Sequence, residues 1–171
     1  MSPSQGQMSM PRVIAMGFAR RQNRCHTESM KLAEKGHFAP PPPLPAHAQR
    51  VSEALASWPN VHARTHWLLG NETEIDGADF YLGDDEIGHL HLNGDAHVAV
   101  SKRVREALVT AGLAKPFQWS RAFVVFPVRR ASDVGHAKFL FHLAYDRVSG
   151  VEESELLDRI RSLETSNSAL A

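Results

Sequence analysis

The stretch Gly88-His89-Leu90-His91-Leu92-Asn93-Gly94-Asp95-Ala96-His97-Val98-Ala99-Val100 constrains the fold more than any other part of this 171-residue chain. Polar and apolar residues alternate on both sides of Asn93-Gly94, the pattern of two half-buried strands joined by a short turn. Successive strand side chains point to opposite faces, so His89 and His91 share one face while Leu90 and Leu92 share the other. The length of the loop decides where His97 goes. A two-residue loop of Asn93-Gly94, which that dipeptide favours locally, pairs Leu90 with His97 and mixes polar with apolar on both faces. A three-residue loop of Leu92 to Gly94 pairs His89 with His97 and His91 with Asp95. It gathers Leu90, Ala96, Val98 and Val100 on one face and His89, His91, Asp95 and His97 on the other. Because a one-residue slip misplaces every side chain, burial outranks turn propensity, and the three-residue register is expected.

The flanking segments indicate what this hairpin joins. Ala48, Val51, Leu55 and Trp58 recur at helical spacing over residues 47–58, and Pro59-Asn60 stops that helix. Residues 61–69 are rich in strand formers. Residues 72–82 read as two extended pieces around a turn at Asp76-Gly77, and Gly83-Asp84-Asp85 is a further turn. Ser101 caps a helix carrying Val104, Ala107, Leu108 and Ala111 on one face, closed by Gly112. Residues 122–126 form a strand apolar on both faces, expected to be central. Ser132 or Asp133 caps a last long helix that runs to about Val148. The expected fold class is α+β: a single domain with a mostly antiparallel sheet of about five strands, covered by two or three helices on one face.

Charge marks the ends of that domain. The chain has 19 basic and 19 acidic residues, a formal net charge of zero. Residues 1–45 hold six basic residues against Glu28 and Glu34, a net of +4, and residues 149–171 carry a net of −3. The expected organisation is therefore a poorly ordered basic, Pro-rich extension over 1–45, a domain over 46–148, and an acidic C-terminal tail over 149–171 with a helical pattern but nothing that fixes it to the core. The first 27 residues lack acids, as transit peptides do, but Arg20 and Arg21 follow the apolar run 13–19, the reverse of a secretory signal. Pro40 to Pro43 favours an extended polyproline spacer.

Several function classes are excluded at this point. An even charge balance lacks the cationic excess of a nucleic-acid binder or a polybasic membrane-surface protein. No apolar run is long enough to span a bilayer, so a cytoplasmic protein with no membrane partner is expected. Cys25 is the single cysteine, which rules out an internal disulfide framework and a Cys-rich zinc site. No Gly-rich dinucleotide fingerprint is present, so no flavin or nicotinamide cofactor is expected.

Ten histidines remain as the unusual feature. Three imidazoles and a carboxylate on one sheet face admit three readings. They hold Zn²⁺ or Fe²⁺, or they line an organic pocket as acid–base groups, or they form a polar face without chemistry. An x-H-x-H strand pattern does not choose between them, and no metal is assigned. His136 and His142, six residues apart, lie on different faces of the last helix, and His66 beside Trp67 lies on the first strand.

The motifs Phe80-Tyr81-Leu82-Gly83, Glu86-Ile87-Gly88-His89-Leu90-His91, Gly94-Asp95, Gly112-Leu113-Ala114-Lys115-Pro116-Phe117, Ser132-Asp133-Val134 and Leu140 to Arg147 follow one another in a characteristic order. In this, residues 48–148 resemble the luciferase-like domain shared by fungal luciferases and many bacterial proteins, and look closest to the bacterial branch. The fungal enzymes oxidise a hydroxylated pyrone with molecular oxygen, without a recognised organic cofactor. The resemblance implies an oxygen-dependent oxidase or monooxygenase of a small aromatic or enolic compound. Light emission is not expected of a chain this short, without an apolar N-terminal anchor. Under that reading His89, His91 and His97 are the catalytic residues, one as base and His97 or Arg121 as the group that steadies the oxyanion. Asp95, Trp119, Arg121, Phe80 and Tyr81 contact the substrate, with Phe117 as a further aromatic wall. The alternatives are a module that holds a small apolar ligand or metal without turnover, and a domain whose histidine face contacts a second copy in a homodimer.

Overall fold

The computed structural model describes residues 37–168. Among them the elements run α1 (Ala46–Ala56), β1 (Val61–Leu68), β2 (Asn71–Leu82), β3 (Asp85–His91), β4 (Asp95–Ala99), α2 (Lys102–Thr110), β5 (Lys115–Pro116), β6 (Phe123–Pro127), α3 (Asp133–Val148) and α4 (Glu153–Ser168). The six strands form one antiparallel sheet in the order β1-β2-β3-β4-β6-β5. This is the expected α+β class. The additional strand, β5, is only two residues long, too short to leave a periodic signal.

One face of the sheet carries the core. Ala78, Phe80, Leu90, Ala96, Val98 and Val124 point to the helices, where they meet Val51 and Leu55 of α1 and Leu140, Phe141 and Ala144 of α3. β6 lies between β4 and the short edge strand β5, one place in from the sheet's edge. Asn60, which stops α1, takes a positive φ of 59°. The Ser101 side chain accepts the Val104 amide at 3.3 Å, as an N-cap should. Gly112, at φ 66°, ends α2 with the Leu113 amide donating back to the Leu108 carbonyl at 2.9 Å. At the start of α3 the capping differs from expectation. Neither Ser132 nor Asp133 caps as an N-cap residue. Instead the Asp133 carboxylate accepts the upstream amides of Arg129 and Arg130 at 2.9 and 2.8 Å, which hold its pKa below the ordinary value.

Asp76-Gly77 is not a turn. β2 runs unbroken through it as a 12-residue strand. His66 pairs with Gly77 and Trp67 with Ile75, which leaves Asp76 as the extra residue of a β-bulge. Glycine is required next to it because a Cβ at Gly77 would lie 1.9 Å from the Leu90 carbonyl oxygen. A turn dipeptide and a bulge draw on the same residue types, so local composition does not separate them.

The two ends of the described chain are tied down. Of the extension 1–45, residues 1–36 lie outside the described residues. The rest runs along the open edge of β1, where the Thr65 amide donates to Ala39 at 2.8 Å and the Arg64 guanidinium to the His37 carbonyl at 2.7 Å. Leu44 enters the core beneath α1. The proline run therefore packs against a strand edge rather than standing off as a spacer, and it blunts that edge against further pairing. At the other end, α4 packs on α2 and α3 through fully buried Leu156 and Ile160. Arg159 pairs with Asp146 of α3 at 2.5 Å, and Ser101 hydrogen-bonds Glu153. The acidic tail is thus fixed to the core, by two apolar residues too sparse to stand out against their charged neighbours.

Candidate functional site

The sheet face turned away from the helices is where the polar residues collect. The three-residue loop is present: Gly94, at φ 85°, donates its amide to His91 at 2.8 Å, and His89 stands opposite His97. His89, His91 and His97 are therefore on one face, as expected. β1 and β2 add to them. His66 pairs with Gly77, and Asp79 with His89, so the alternation of β1 and β2 brings His66, Asp79 and the bulged Asp76 to the same place.

A second bulge supplies Glu86. Phe80 pairs with Gly88 but Tyr81 pairs with Glu86, leaving Ile87 as the extra residue. Ile87 and Gly88 consequently both face the helices. Ile87 joins the core, and a Cβ on Gly88 would lie 2.7 Å from the Phe141 ring. Glu86 is returned to the histidine side, three residues from His89. Strict alternation would have sent it to the other face.

The result is four imidazoles backed by three carboxylates. His66 Nδ1 lies 2.7 Å from Asp79 Oδ1, His89 Nδ1 2.7 Å from Glu86 Oε1, and His91 Nδ1 2.9 Å from Asp76 Oδ2. An ionised carboxylate only accepts, so each Nδ1 carries the proton and each Nε2 presents a lone pair. His89 Nε2 and His91 Nε2 then meet at His97 Nδ1, at 3.1 and 3.2 Å. The His66 ring lies flat on His89, centroids 4.2 Å apart and planes within 8°. Asp79 and Glu86 are fully buried and His89 nearly so. Burial lowers the pKa of His91 against the opposing pull of Asp76. Burial, reinforced by His91, takes His97 down to about 4. His97 is accordingly neutral at physiological pH.

The remaining residues expected at the site are spread more widely. Tyr81 is buried on β2. Phe80 is buried on the helix side, edge-on to Phe141, and does not face the histidines. Asp95 sits at the rim, where Arg129 Nη2 donates to it at 2.5 Å. Phe117 stacks obliquely on His97 at 4.6 Å, and Phe123 lies 5.5 Å from His89. Trp119 is 80% exposed, touching Phe117 edge-on, and Arg121 is exposed nearby. His136 and His142 belong to other surroundings, the first 2.6 Å from the Leu113 carbonyl and the second stacked on Trp58.

Sequence reading missed His66, Asp76, Asp79 and Glu86 as members of the site. For His66 a signal existed: His62, Arg64 and His66 alternate along β1. For Asp76 and Glu86 there was none, because both arrive through bulges.

Among the described residues no helix is long and apolar enough to cross a membrane. No curated protein and no solved structure gives a match. The model of the Luciferase domain family matches residues 84–144, from the start of β3 into α3. That segment contains Glu86, His89, His91 and His97, while His66, Asp76 and Asp79 come from the strands before it. The clustered histidines thus sit largely within the matched segment, and it is over residues 84–144 that the chain is similar to the Luciferase domain family.

Proposed function

We propose that the chain is an oxygen-dependent oxidase or monooxygenase of a small aromatic or enolic compound, with the histidine face as its acid–base centre. The observation that carries this reading is the set of imidazole–carboxylate pairs. Each carboxylate fixes the tautomer of its histidine and raises the basicity of the nitrogen on the far side. A group that removes an enol proton must be neutral at working pH and rigidly aimed. Burial keeps His97 and His91 below the usual imidazole range, and Glu86 and Asp76 aim His89 and His91. Loss of that proton leaves an anion electron-rich enough to form a carbon–oxygen bond with dioxygen. The substrate supplies both electrons, and a protonated imidazole or Arg121 steadies the peroxide that forms. Phe117 and Phe123 beside the histidines offer apolar surface to a flat molecule.

The test is oxygen uptake in the presence of a panel of catechols, hydroxypyrones and enolisable 1,3-diketones. At least one class should be consumed. His97→Ala should slow it by about 100-fold or more, the usual contribution of a positioned acid or base. No uptake above the uncatalysed rate with any compound, or full activity in both His89→Ala and His91→Ala, overturns the reading.

A further inference from the structure

We infer that His97 Nε2 is the proton-accepting atom of the histidine face, that it takes a hydroxyl carried on a flat ring or enol, and that His89 and His91 are the residues that position it. For the fate of the molecule that gives up the proton, this rests on the oxidation reading, which leaves open which of three histidines is the base.

The tautomers of the three rings follow from one another. The Asp76 carboxylate takes the Nδ1 proton of His91, 2.9 Å away, and burial holds His91 below the usual imidazole range, so its Nε2 is a bare lone pair. That lone pair lies 3.2 Å from His97 Nδ1. Two lone pairs facing each other repel, so His97 Nδ1 carries the proton and donates it. His89 Nε2 stands 3.1 Å from the same Nδ1–H, and a second hydrogen there would oppose the first. His89 Nε2 is therefore bare as well, and its proton sits on Nδ1, 2.7 Å from Glu86. Neutral His97, with its one ring proton on Nδ1, is left with a lone pair on Nε2.

The two nitrogens of an imidazole point apart, so His97 Nε2 looks away from His89 and His91. Among the described residues it makes no hydrogen bond, and the His97 ring is part-exposed. In His89 and His91, by contrast, both nitrogens of each ring are engaged. Beside His97 stands an apolar wall. Phe117 lies 4.6 Å from its ring and packs on Ala99, Ala122 and Phe123, and exposed Trp119 meets Phe117 edge-on. A molecule that meets the lone pair must offer a donor, and one that meets Phe117 and Trp119 must offer apolar surface. A phenol or an enol on a flat skeleton offers both.

His66 is the competing base. Its Nδ1 is held by Asp79, and its Nε2 lies 3.9 Å from Asp76, beyond hydrogen bonding. Its neighbours, however, are the rings of His89 and His91 and two carboxylates, with no apolar wall for a flat molecule. At His97 the step is a simple proton transfer. The O–H bond breaks, its electron pair stays on oxygen as a phenolate or enolate, and the proton bonds to Nε2. The imidazolium that forms keeps its Nδ1–H on His89 and His91, which lean on Glu86 and Asp76 in turn.

The experiment uses the full ¹⁵N-labelled chain without a histidine tag at pH 7.5, read by long-range ¹H–¹⁵N correlation, which tells a protonated ring nitrogen from a bare one. His97 is expected with Nδ1 protonated and Nε2 bare. Added phenol should shift His97 Nε2, while anisole, the same ring without the proton, should leave it in place, and neither should move His66. A proton on His97 Nε2, no phenol-specific shift, or a phenol shift at His66 instead overturns the inference, and none of these needs a folded variant. With a compound that is consumed, His97→Ala should lose about 100-fold or more and recover in part with added imidazole. His89→Leu and His91→Leu should each lose about 10- to 100-fold, the worth of a hydrogen bond to a charged group, and should not recover with imidazole. His91→Gln, which keeps an acceptor, should restore most of the loss; imidazole rescue of His89→Leu in place of His97→Ala overturns the assignment of roles. Phenol-specific shifts without oxygen uptake by any compound sink the oxidation alone, and uptake with His97 Nε2 protonated sinks this assignment alone.

Discussion

Gly88 shows how much of the site depends on single residues. Its φ is 144°, and a Cβ there would lie 2.4 Å from the His97 carbonyl oxygen as well as against Phe141. Gly88→Ala therefore combines a backbone conformation that L residues avoid with a clash on both sides. It should cost at least about 2 kcal/mol in urea unfolding, and it should expel Glu86 from His89 in whatever remains folded. A variant as stable as wild type would show that the bulge at Ile87 is not needed. This bulge also explains what could and could not be read from residues alone. His89, His91 and His97 were legible because strict alternation holds between them. Glu86 and Asp76 were not, because an inserted residue reverses alternation without leaving a compositional mark. His66 was legible in the pattern His62, Arg64, His66, but a lone strand histidine carries little weight before its partners are known.

The β3–β4 hairpin is the element on which the site turns. Its register followed from putting Leu90, Ala96 and Val98 on one face, and the three-residue loop with Gly94 at φ 85° agrees. Deleting Asn93 shortens the loop to two residues. Either the strands slip by one and His97 moves to the helix side, or the hairpin opens. In both cases the contacts of His97 with His89 and His91 should vanish, seen as loss of their mutual effects in histidine side-chain NMR. Unchanged histidine resonances would contradict the register argument. At α4 the outcome was less legible. Leu156 and Ile160 are four residues apart on one helix face and fully buried, yet the segment between them and around them is charged. Leu156→Ala should destabilise the fold by about 2–4 kcal/mol, as for a core position, rather than the few tenths expected of a free tail.

For the whole molecule, a two-layer arrangement leaves one sheet face to the helices and the other to the histidines. The fold class was open to sequence reading because alternation, caps and turns agreed with one another over residues 46–148. The packing of both ends was not, since a proline run and an acidic segment look the same whether docked or free. The histidine face should make the fold acid-sensitive in a defined window. His97 titrates near 4 in the fold but near 6.5 when unfolded, and His91 is lowered as well. Below pH 6.5 the unfolded chain binds protons that the fold does not. Stability should therefore fall as pH drops from about 6.5 to about 4 and level off below that, as far as these groups are concerned. Urea unfolding at pH 7.5, 5.5 and 4.0 checks this, and a flat profile would contradict it. If the imidazoles of β3 and β4 act as one centre, removing one of them must be felt by the others. Histidine side-chain ¹H–¹⁵N NMR of the wild type and of His97→Ala measures this. The ring nitrogens of His89 and His91, both in contact with His97 Nδ1, should shift together when His97 is removed. Unchanged His89 and His91 resonances would contradict a shared centre.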